Sequence, residues 1–392
     1  MKTLDVLTIL RAPLERYPPS VNQVSLLARA GLQVGVVDLS GDAPAPELHP
    51  SIRRWRVHRS WNSKAEPPPP FLRRWVNWLK FAHASRSVIR GCRPRVVIAY
   101  DTLASVFVRP RPARYRTVYH FHELPEAEPA MGLGPRLALR GALRRSRHAD
   151  LVVFPDRGRA EEYQRTAGLV AMPAVVMNCP ARMESVPESP LSAELAQRGF
   201  LDRRVVCFVG SIGPDKGIQE AASSMQRWPD DSLLVLVGEC SEATKRTILA
   251  ASHSPGRVVF LGYRPYLQAL ALAAGSHLGI ALIQATTRNW LYSAGAINKR
   301  FEYMALGLPQ VTNAGPGVAE LVEQTGCGIC ADPRSPEAIG RAVCDLLNNG
   351  DLRQRMAANS RRWHLEKFNY ERQFEPVLNW IQGAVNSRSN EL

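Results

Sequence analysis

Three charged residues on one short stretch offer the first chemistry to argue from. Residues 296–329 read as helix, strand, turn, helix and strand, and Lys299, Arg300 and Glu302 ride on the first helix. Phe301, Met304 and Ala305 recur at helical spacing, so one face of that helix can be buried. Gly307 stands at the cap position and Pro309 prevents continuation. A short helix with cations at its start, following a strand, can seat a phosphate-bearing ligand. From these residues alone, an ordinary α/β scaffold with solvated charges is an equal reading. A second group is the loop Gly210-Ser211-Ile-Gly-Pro-Asp-Lys216-Gly217, which follows the apolar run at 205–209. Its glycines allow close approach of backbone to a ligand, and Lys216 can offer a point charge to phosphate. A third is the pair His120 and His122, two residues apart on a strand and so on one face of it. Either could titrate near neutrality or bond a phosphate or hydroxyl, or be a satisfied core histidine.

Several chemistries are disfavoured by what is missing. Residues 11–20 contain no glycine, so the loop after the first strand is not a dinucleotide fingerprint. The 210–217 loop has the order Lys-Gly and is not a P-loop. There is no Asp-x-Asp triad, which argues against a metal carried to a nucleotide-sugar by that motif, and no Gly-x-Ser-x-Gly elbow. Cys327 and Cys330 form a CxxC, but no second pair or histidine stands near them. The seven cysteines follow no framework spacing and suit free thiols in a reducing cytoplasm.

The elements that must position these residues alternate in type. In residues 1–180 at least six short apolar strands alternate with helical segments, including 4–10, 34–39, 95–101, 117–122, 150–155 and 174–178. The spacing predicts a first helix over 21–32. Residues 179–202 lose periodicity and read as a linker. The strand–helix pattern then restarts, with further buried runs at 233–238, 258–262 and 278–282. A chain of 392 residues with 45% hydrophobic content and 22% charge therefore reads as two soluble α/β domains. No run of about 18 apolar residues exists to cross a membrane. The first ten residues suit a buried strand better than a leader peptide.

The net charge of +15 is uneven. Residues 1–198 hold 30 Lys+Arg against 17 Asp+Glu, a balance of +13, and residues 53–95 hold 12 basic residues against Glu66 alone. A basic face attracts polyanions such as anionic headgroups or phosphorylated substrates. Arg53, Arg54, Arg56, Arg59, Trp55 and Trp61 mix cations with indoles, and four prolines at 67–70 precede a helix over 71–89. Its face of Leu72, Trp75, Val76 and Leu79 can pack on the core, or lie at a membrane interface among Arg73, Arg74 and Lys80.

The second half resembles the donor-binding domain of family-4 glycosyltransferases, the retaining enzymes of the GT-B fold. The matching residues run from Phe208-Val-Gly210 to Lys216-Gly217, through Leu236-Val-Gly238 and Phe260-Leu-Gly262-Tyr263, to Asn298-Lys-Arg-Phe-Glu302 and Gly307-Leu-Pro309, and on to Gly315-Pro316-Gly317 and Glu320. Together they span about residues 203–345. The first half resembles the acceptor domain more loosely, through His122-Glu123, residues 149–155 and residues 175–178. The resemblance implies two Rossmann-like parallel-sheet domains facing across a cleft. They would be an acceptor domain at 1–190 and a nucleotide-sugar domain at 203–370, with a C-terminal helix at 371–392 that can pack back on the first. It further implies that the Gly210-Ser211 loop and Lys216 contact the donor diphosphate, and that Glu302 bonds the ribose hydroxyls. The first turn, Asn298-Lys299-Arg300, would lie near the distal phosphate, the base near Gly238 and Tyr263, and His122 toward the transferred sugar. Retention and independence of metal or other cofactor also come from the resemblance.

The chain departs from the family pattern in three places. Ala294 stands where the first acid of Glu-x7-Glu is expected, Ser211 stands where a cation is usual, and Tyr17-Pro-Pro-Ser20 replaces a glycine-rich loop. Arg288, Lys299 or Arg300 could stand in for the missing cation. The expected function is transfer of a sugar from UDP- or GDP-sugar to a lipid-linked or surface-polysaccharide acceptor. It would take place in the cytoplasm or at the inner face of the cell membrane, with no nucleic-acid partner. A GT-B sugar-nucleotide epimerase and an inactive, polyanion-binding scaffold remain the alternatives.

Overall fold

Runs of Val, Ile and Leu four to six residues long, buried on both faces, belong to parallel strands covered by helices on each side. The structure, a computed structural model, bears this out. It describes residues 3–41, 47–58, 71–126 and 132–389, without the side chains of 71–75, 135, 388 and 389. The expected features at Arg59, Trp61 and the prolines 67–70, and the side chains of Leu72, Arg73, Arg74 and Trp75, lie outside the described residues.

The first unit comprises residues 1–177 and 373–392, and the second comprises residues 178–372. The first is built on β1 (Val6–Ile9), β2 (Val34–Leu39), β3 (Arg53–Val57), β4 (Val96–Tyr100), β5 (Arg116–His120), β6 (Leu151–Phe154) and β7 (Ala174–Val175). Their order in the sheet is β3-β2-β1-β4-β5-β6-β7, with every pairing parallel. The second is built on β8 (Arg204–Val209), β9 (Ser232–Val237), β10 (Val258–Gly262), β11 (Leu278–Ala281), β12 (Gln310–Asn313) and β13 (Gly328–Ala331). These pair in parallel in the order β10-β9-β8-β11-β12-β13.

Both sheets are doubly wound. Each runs outward from a central strand and then crosses to its other side, which leaves a switch point between β1 and β4 and between β8 and β11. At such a point the loops beyond the strands' carboxyl ends separate and leave a ligand crevice. The helix Leu191–Ala196, in the stretch read as a linker, seats Leu191 and Leu195 in the apolar layer of the second sheet with Val205, Leu233 and Leu270.

Two local expectations are corrected. The first helix runs Pro18–Arg29 rather than 21–32, because Pro18 and Pro19 fill first-turn positions whose N–H groups would have no partner anyway. In the helix Phe71–Cys92 the buried face is Phe81, Ala82, Ser85, Val88 and Cys92, with Trp78 edge-on to Phe107 at 6.0 Å. Val76 and Leu79, for which core packing is one of two readings, are 45% and 53% exposed. The basic strand β3 is also less free than its sequence suggests. Arg54 donates to both Asp38 and Glu15, and Arg53 lies over Trp55 at 5.3 Å.

Candidate active site

In the first unit, the loops after β1, β4 and β5 meet at the switch point. His122 follows β5 and is 9% exposed. Its Nδ1 lies 2.9 Å from Asp101 Oδ2, and its backbone N–H donates to Asp101 Oδ1 at 2.8 Å. Its Nε2 lies 2.9 Å from Ser20 Oγ. Burial raises the Asp101 carboxyl, but the His122 charge and its two hydrogen bonds outweigh burial and hold the pKa below the ordinary value. An ionised carboxylate only accepts, so the hydrogen on His122 Nδ1 points to Asp101, and Nε2 shares its hydrogen bond with the Ser20 hydroxyl. Asp101 holds a left-handed backbone (φ 57°), which turns its side chain from the end of β4 toward β5. Tyr17 and Tyr100 flank the ring at 4.5 and 4.8 Å. Buried Arg159 donates to the His122 carbonyl oxygen at 2.6 Å, from a helix whose N-cap is Asp156. The Tyr17-Pro-Pro-Ser20 segment that replaces a glycine loop thus supplies a ring and a hydroxyl to His122. His120 stacks on Tyr100 at 4.9 Å, and burial pushes it down to about 3, so it stays neutral.

In the second unit, the loop after β8 carries Lys216 on a short 3-10 turn, Pro214–Lys216. Lys216 Nζ sits 3.3 Å from the centre of the Trp290 ring. Trp290 lies on the turn Arg288–Leu291, capped by Thr287, in the segment after β11. Thr286 donates to Asp215 at 3.2 Å and the Gln284 N–H donates to the Asp215 carbonyl at 3.1 Å. The two loops at the switch point between β8 and β11 are therefore latched together.

Glycine closes the neighbouring turns. Gly238, with φ 152°, comes so near the loop after β8 that a Cβ on it would stand 1.9 Å from the Gly210 carbonyl oxygen. Gly210, with φ 122°, leaves room for Lys299, whose Nζ would lie 3.5 Å from a Cβ there. Lys299 Nζ is also 4.7 Å from the Phe208 ring centre.

The helix Asn298–Leu306 begins after the β11 loop and leads into β12, so its N-terminus lies at the carboxyl edge of the sheet. Glu302 is 6% exposed. Burial raises its pKa, and Lys299 and a hydrogen bond from Tyr266 offset this in part. Burial likewise brings Lys299 down to about 8. Tyr303 lies flat on β11, where a Cβ on Gly279 would come within 2.5 Å of its ring.

The expected residues thus divide. Gly210, Gly238, Lys299 and Glu302 gather at one edge of the second sheet, joined by Lys216 through its loop. Ser211 and Tyr263 are exposed at the same edge, Tyr263 directly after β10. Asn298 opens the helix. Arg300 is a correction. It is fully buried and donates to Thr312 Oγ1 (2.9 Å), the Ser293 carbonyl (2.6 Å) and Asn313 Oδ1 (2.6 Å), so it braces the site and does not reach into it. Ala294 packs toward the Gly317 turn, 3.1 Å from where a Cβ on Gly317 would stand. Sequence reading missed Asp101 as the partner of His122, along with Ser20, Tyr266 and Trp290. Asp101 alone left a signal, as an acid at the carboxyl end of a buried strand.

Residues 194–363 match the model of the glycosyl transferases group 1 family. This segment belongs to the glycosyl transferases group 1. The group 1 segment covers the loop after β8, the glycines after β9 and β10, and the helix carrying Glu302. The chain is 23% identical over 192 residues to the uncharacterized glycosyltransferase MJ1069 of Methanocaldococcus jannaschii, covering 48% of this chain and 47% of that protein. It is 28% identical over 241 residues to alpha-D-kanosaminyltransferase of Streptomyces kanamyceticus, covering 57% of each. The chain thus spans about half the length of the curated relatives it matches. The structure of Anabaena Alr3699/HepE, solved with UDP and glucose, superposes with a TM-score of 0.72 at 16% identity, covering 97% of this chain and 100% of that one. With two parallel-sheet units and that match, the fold is GT-B.

Proposed function

We propose that this chain transfers a sugar from a nucleotide-diphosphate sugar, UDP- or GDP-linked, to an acceptor hydroxyl, with retention at the sugar carbon. The observation that carries this reading is the gathering of Lys299, Glu302 and the Gly210–Gly238 contact at the switch point of the group 1 domain, with the Lys216 loop latched beside them. The solved relative with UDP and glucose supports a nucleotide donor. In this reading Lys216, Lys299 and the amides of the helix Asn298–Leu306 stabilise the departing diphosphate. Glu302 accepts from the ribose hydroxyls, and the Asp101–His122–Ser20 relay serves the sugar and acceptor hydroxyls. The charge is met by side chains and amides, so turnover needs no metal and should persist in EDTA. Ala294 supplies no carboxylate to the sugar, which sets this donor pocket apart from the Glu-x7-Glu pattern.

The acceptor is proposed to be lipid-linked or a growing surface polysaccharide, reached by peripheral binding at the inner face of the cell membrane. Exposed Val76 and Leu79 on a basic helix support this, and among the described residues no helix is long and apolar enough to cross a membrane. The test is turnover of a panel of nucleotide sugars by the wild type and by Lys216→Ala and Glu302→Ala. Each variant should fold normally and lose at least roughly 100-fold in kcat/KM, the order expected for removing a charged transition-state or donor contact. Full activity in both would sink the assignment.

A further inference from the structure

A second concave site lies in the first unit, away from the residues assigned above. It is a cavity of about 820 Å³ ringed by Arg86, Arg90, Arg93, Arg109, Arg111 and Arg114. Its floor is apolar: Ile89, Phe107 and Tyr115, the last two buried. The cations come from three places that the topology brings together. Arg86 and Arg90 are on the last turns of the helix Phe71–Cys92, Arg93 precedes β4, and Arg109, Arg111 and Arg114 lie on the segment before β5. Asp101 and His122 lie at the opposite ends of these same strands. Five residues at about 3.3 Å each place the cavity roughly 16 Å from the Asp101–His122 pair.

Among the described residues no carboxylate pairs with any of the six arginines, and none of the six makes a side-chain hydrogen bond. This differs from the basic strand β3, where Arg54 is held by Asp38 and Glu15. Behind the rim, Arg145 adds a buried Nη1 without a partner. Burial draws its pKa below the guanidinium range, against an opposing effect of Tyr119, and the Arg109 cation adds a smaller push in the same downward direction. Arg93 itself sits in the left-handed region (φ 43°), where a non-glycine residue is costly. Like charges held this densely repel unless an anion lies among them. Guanidinium forks match phosphate oxygens two at a time, so six exceed what one phosphate can use. Nucleic acid is the poorer fit. The cations ring a hollow rather than follow a line, and the aromatic rings are in the floor, where no base can stack on them.

We propose that this cavity binds a small anion carrying several adjacent phosphate groups, at a site separate from the donor and acceptor residues. The claim does not rest on the transferase reading. The probe is inorganic tripolyphosphate, titrated into the full chain at constant ionic strength and followed by calorimetry and thermal shift. One saturable site per chain is expected. The variant Arg90→Ala/Arg111→Ala/Arg114→Ala should keep its unliganded Tm and bind roughly 1,000-fold more weakly, each of the three lost charge-assisted contacts being worth about tenfold. Lys216→Ala, on the donor loop, should still bind. A second arm adds vesicles carrying a bisphosphorylated inositol headgroup, against phosphatidylserine vesicles of equal charge. Preference for the former, lost in the triple variant, identifies a headgroup as the source of the phosphates, whereas capture of tripolyphosphate alone identifies a soluble ligand. The proposal is overturned if neither probe binds saturably, if the response follows ionic strength only, or if binding survives in the triple variant and vanishes in Lys216→Ala. Tighter binding of duplex DNA than of tripolyphosphate, with a steep salt dependence, would also overturn it.

Discussion

His122 shows how much one side chain depends on a distant residue. Its Nδ1 is held by Asp101, 21 positions earlier, and its Nε2 by Ser20, 102 positions away. Asp101→Asn replaces an ionised acceptor by an amide that can also donate, so the Nδ1 hydrogen loses its charged partner. The direction of the pH effect follows from the depressed carboxyl. Its folded pKa lies below the unfolded value, so its stabilisation is fully present above the ordinary carboxylate range and is lost as pH falls through the folded pKa. The Tm of wild type should therefore exceed that of Asp101→Asn at neutral pH, and the gap should close in acid. A gap that does not change with pH would show that the carboxylate charge is not what matters. His364 is the converse case. Its Nε2 accepts from the Met183 N–H at 3.0 Å, its Nδ1 donates to the Phe368 carbonyl at 3.0 Å, and it is fully buried in the neutral form, which burial holds down to about 4. An unfolded histidine takes its proton near pH 6.5, so stability should fall as pH drops from there to about 4, by on the order of 3 kcal/mol in all. Denaturant titrations of wild type and His364→Gln across that window should differ in slope, and equal slopes would rule this residue out as the cause.

At the scale of elements, what matters is how closely loops can approach. The turns after β8 and β9 come together only because Gly238 has no Cβ. Gly238→Ala must displace the Gly210 carbonyl and hold alanine at φ 152°, costing on the order of 3 kcal/mol from strain and overpacking. It should also weaken nucleotide binding, since Gly210 borders Lys299. Gly256→Ala, where a Cβ meets nothing within 4 Å, is the matched control and should change stability by less than about 0.5 kcal/mol. Isothermal titration with UDP and urea melts of both variants give the comparison, and similar values for the two would refute it. The buried Arg300 is a brace of the same kind. It ties the start of the Glu302 helix to β12 through Thr312 and Asn313, whereas Lys299 beside it lies toward Gly210.

For the whole molecule, the relevant quantity is charge. The balance of +13 in residues 1–198 is partly spent internally, on Asp38, Glu15, Asp5 and Asp150, and partly displayed by the arginine cavity and the helix Phe71–Cys92. Peripheral membrane binding by such a surface should depend on salt, each basic residue near an anionic leaflet contributing about 1 kcal/mol. Sedimentation with anionic vesicles should be strong at low salt, fall at high salt, and weaken in Leu79→Asp, which removes an exposed apolar contact. Neutral vesicles should not carry the protein down. Equal sedimentation with neutral and anionic vesicles, or none at low salt, would remove the membrane part of the proposal.

Some of this was legible in the chain itself, because it depends on local pattern. Short Val- and Ile-rich runs alternating with helical spacing can only be parallel strands with crossovers, so two Rossmann-like units were readable. The glycines at 210, 238 and 307 with Lys216 and Glu302 were readable too, since each marks a turn or a charge by its own type. What tertiary structure decided is partnership. Lys299 and Arg300 are adjacent and chemically alike, yet the turn of the helix sends one toward Gly210 and buries the other on Thr312 and Asn313. Val76 and Leu79 look like core residues until the sheet selects the opposite face of their helix. The pairing of Asp101 with His122, and the ring of arginines from three separate segments, arise from strand order. Strand order is fixed by burial of the whole sheet and not by any one segment's composition.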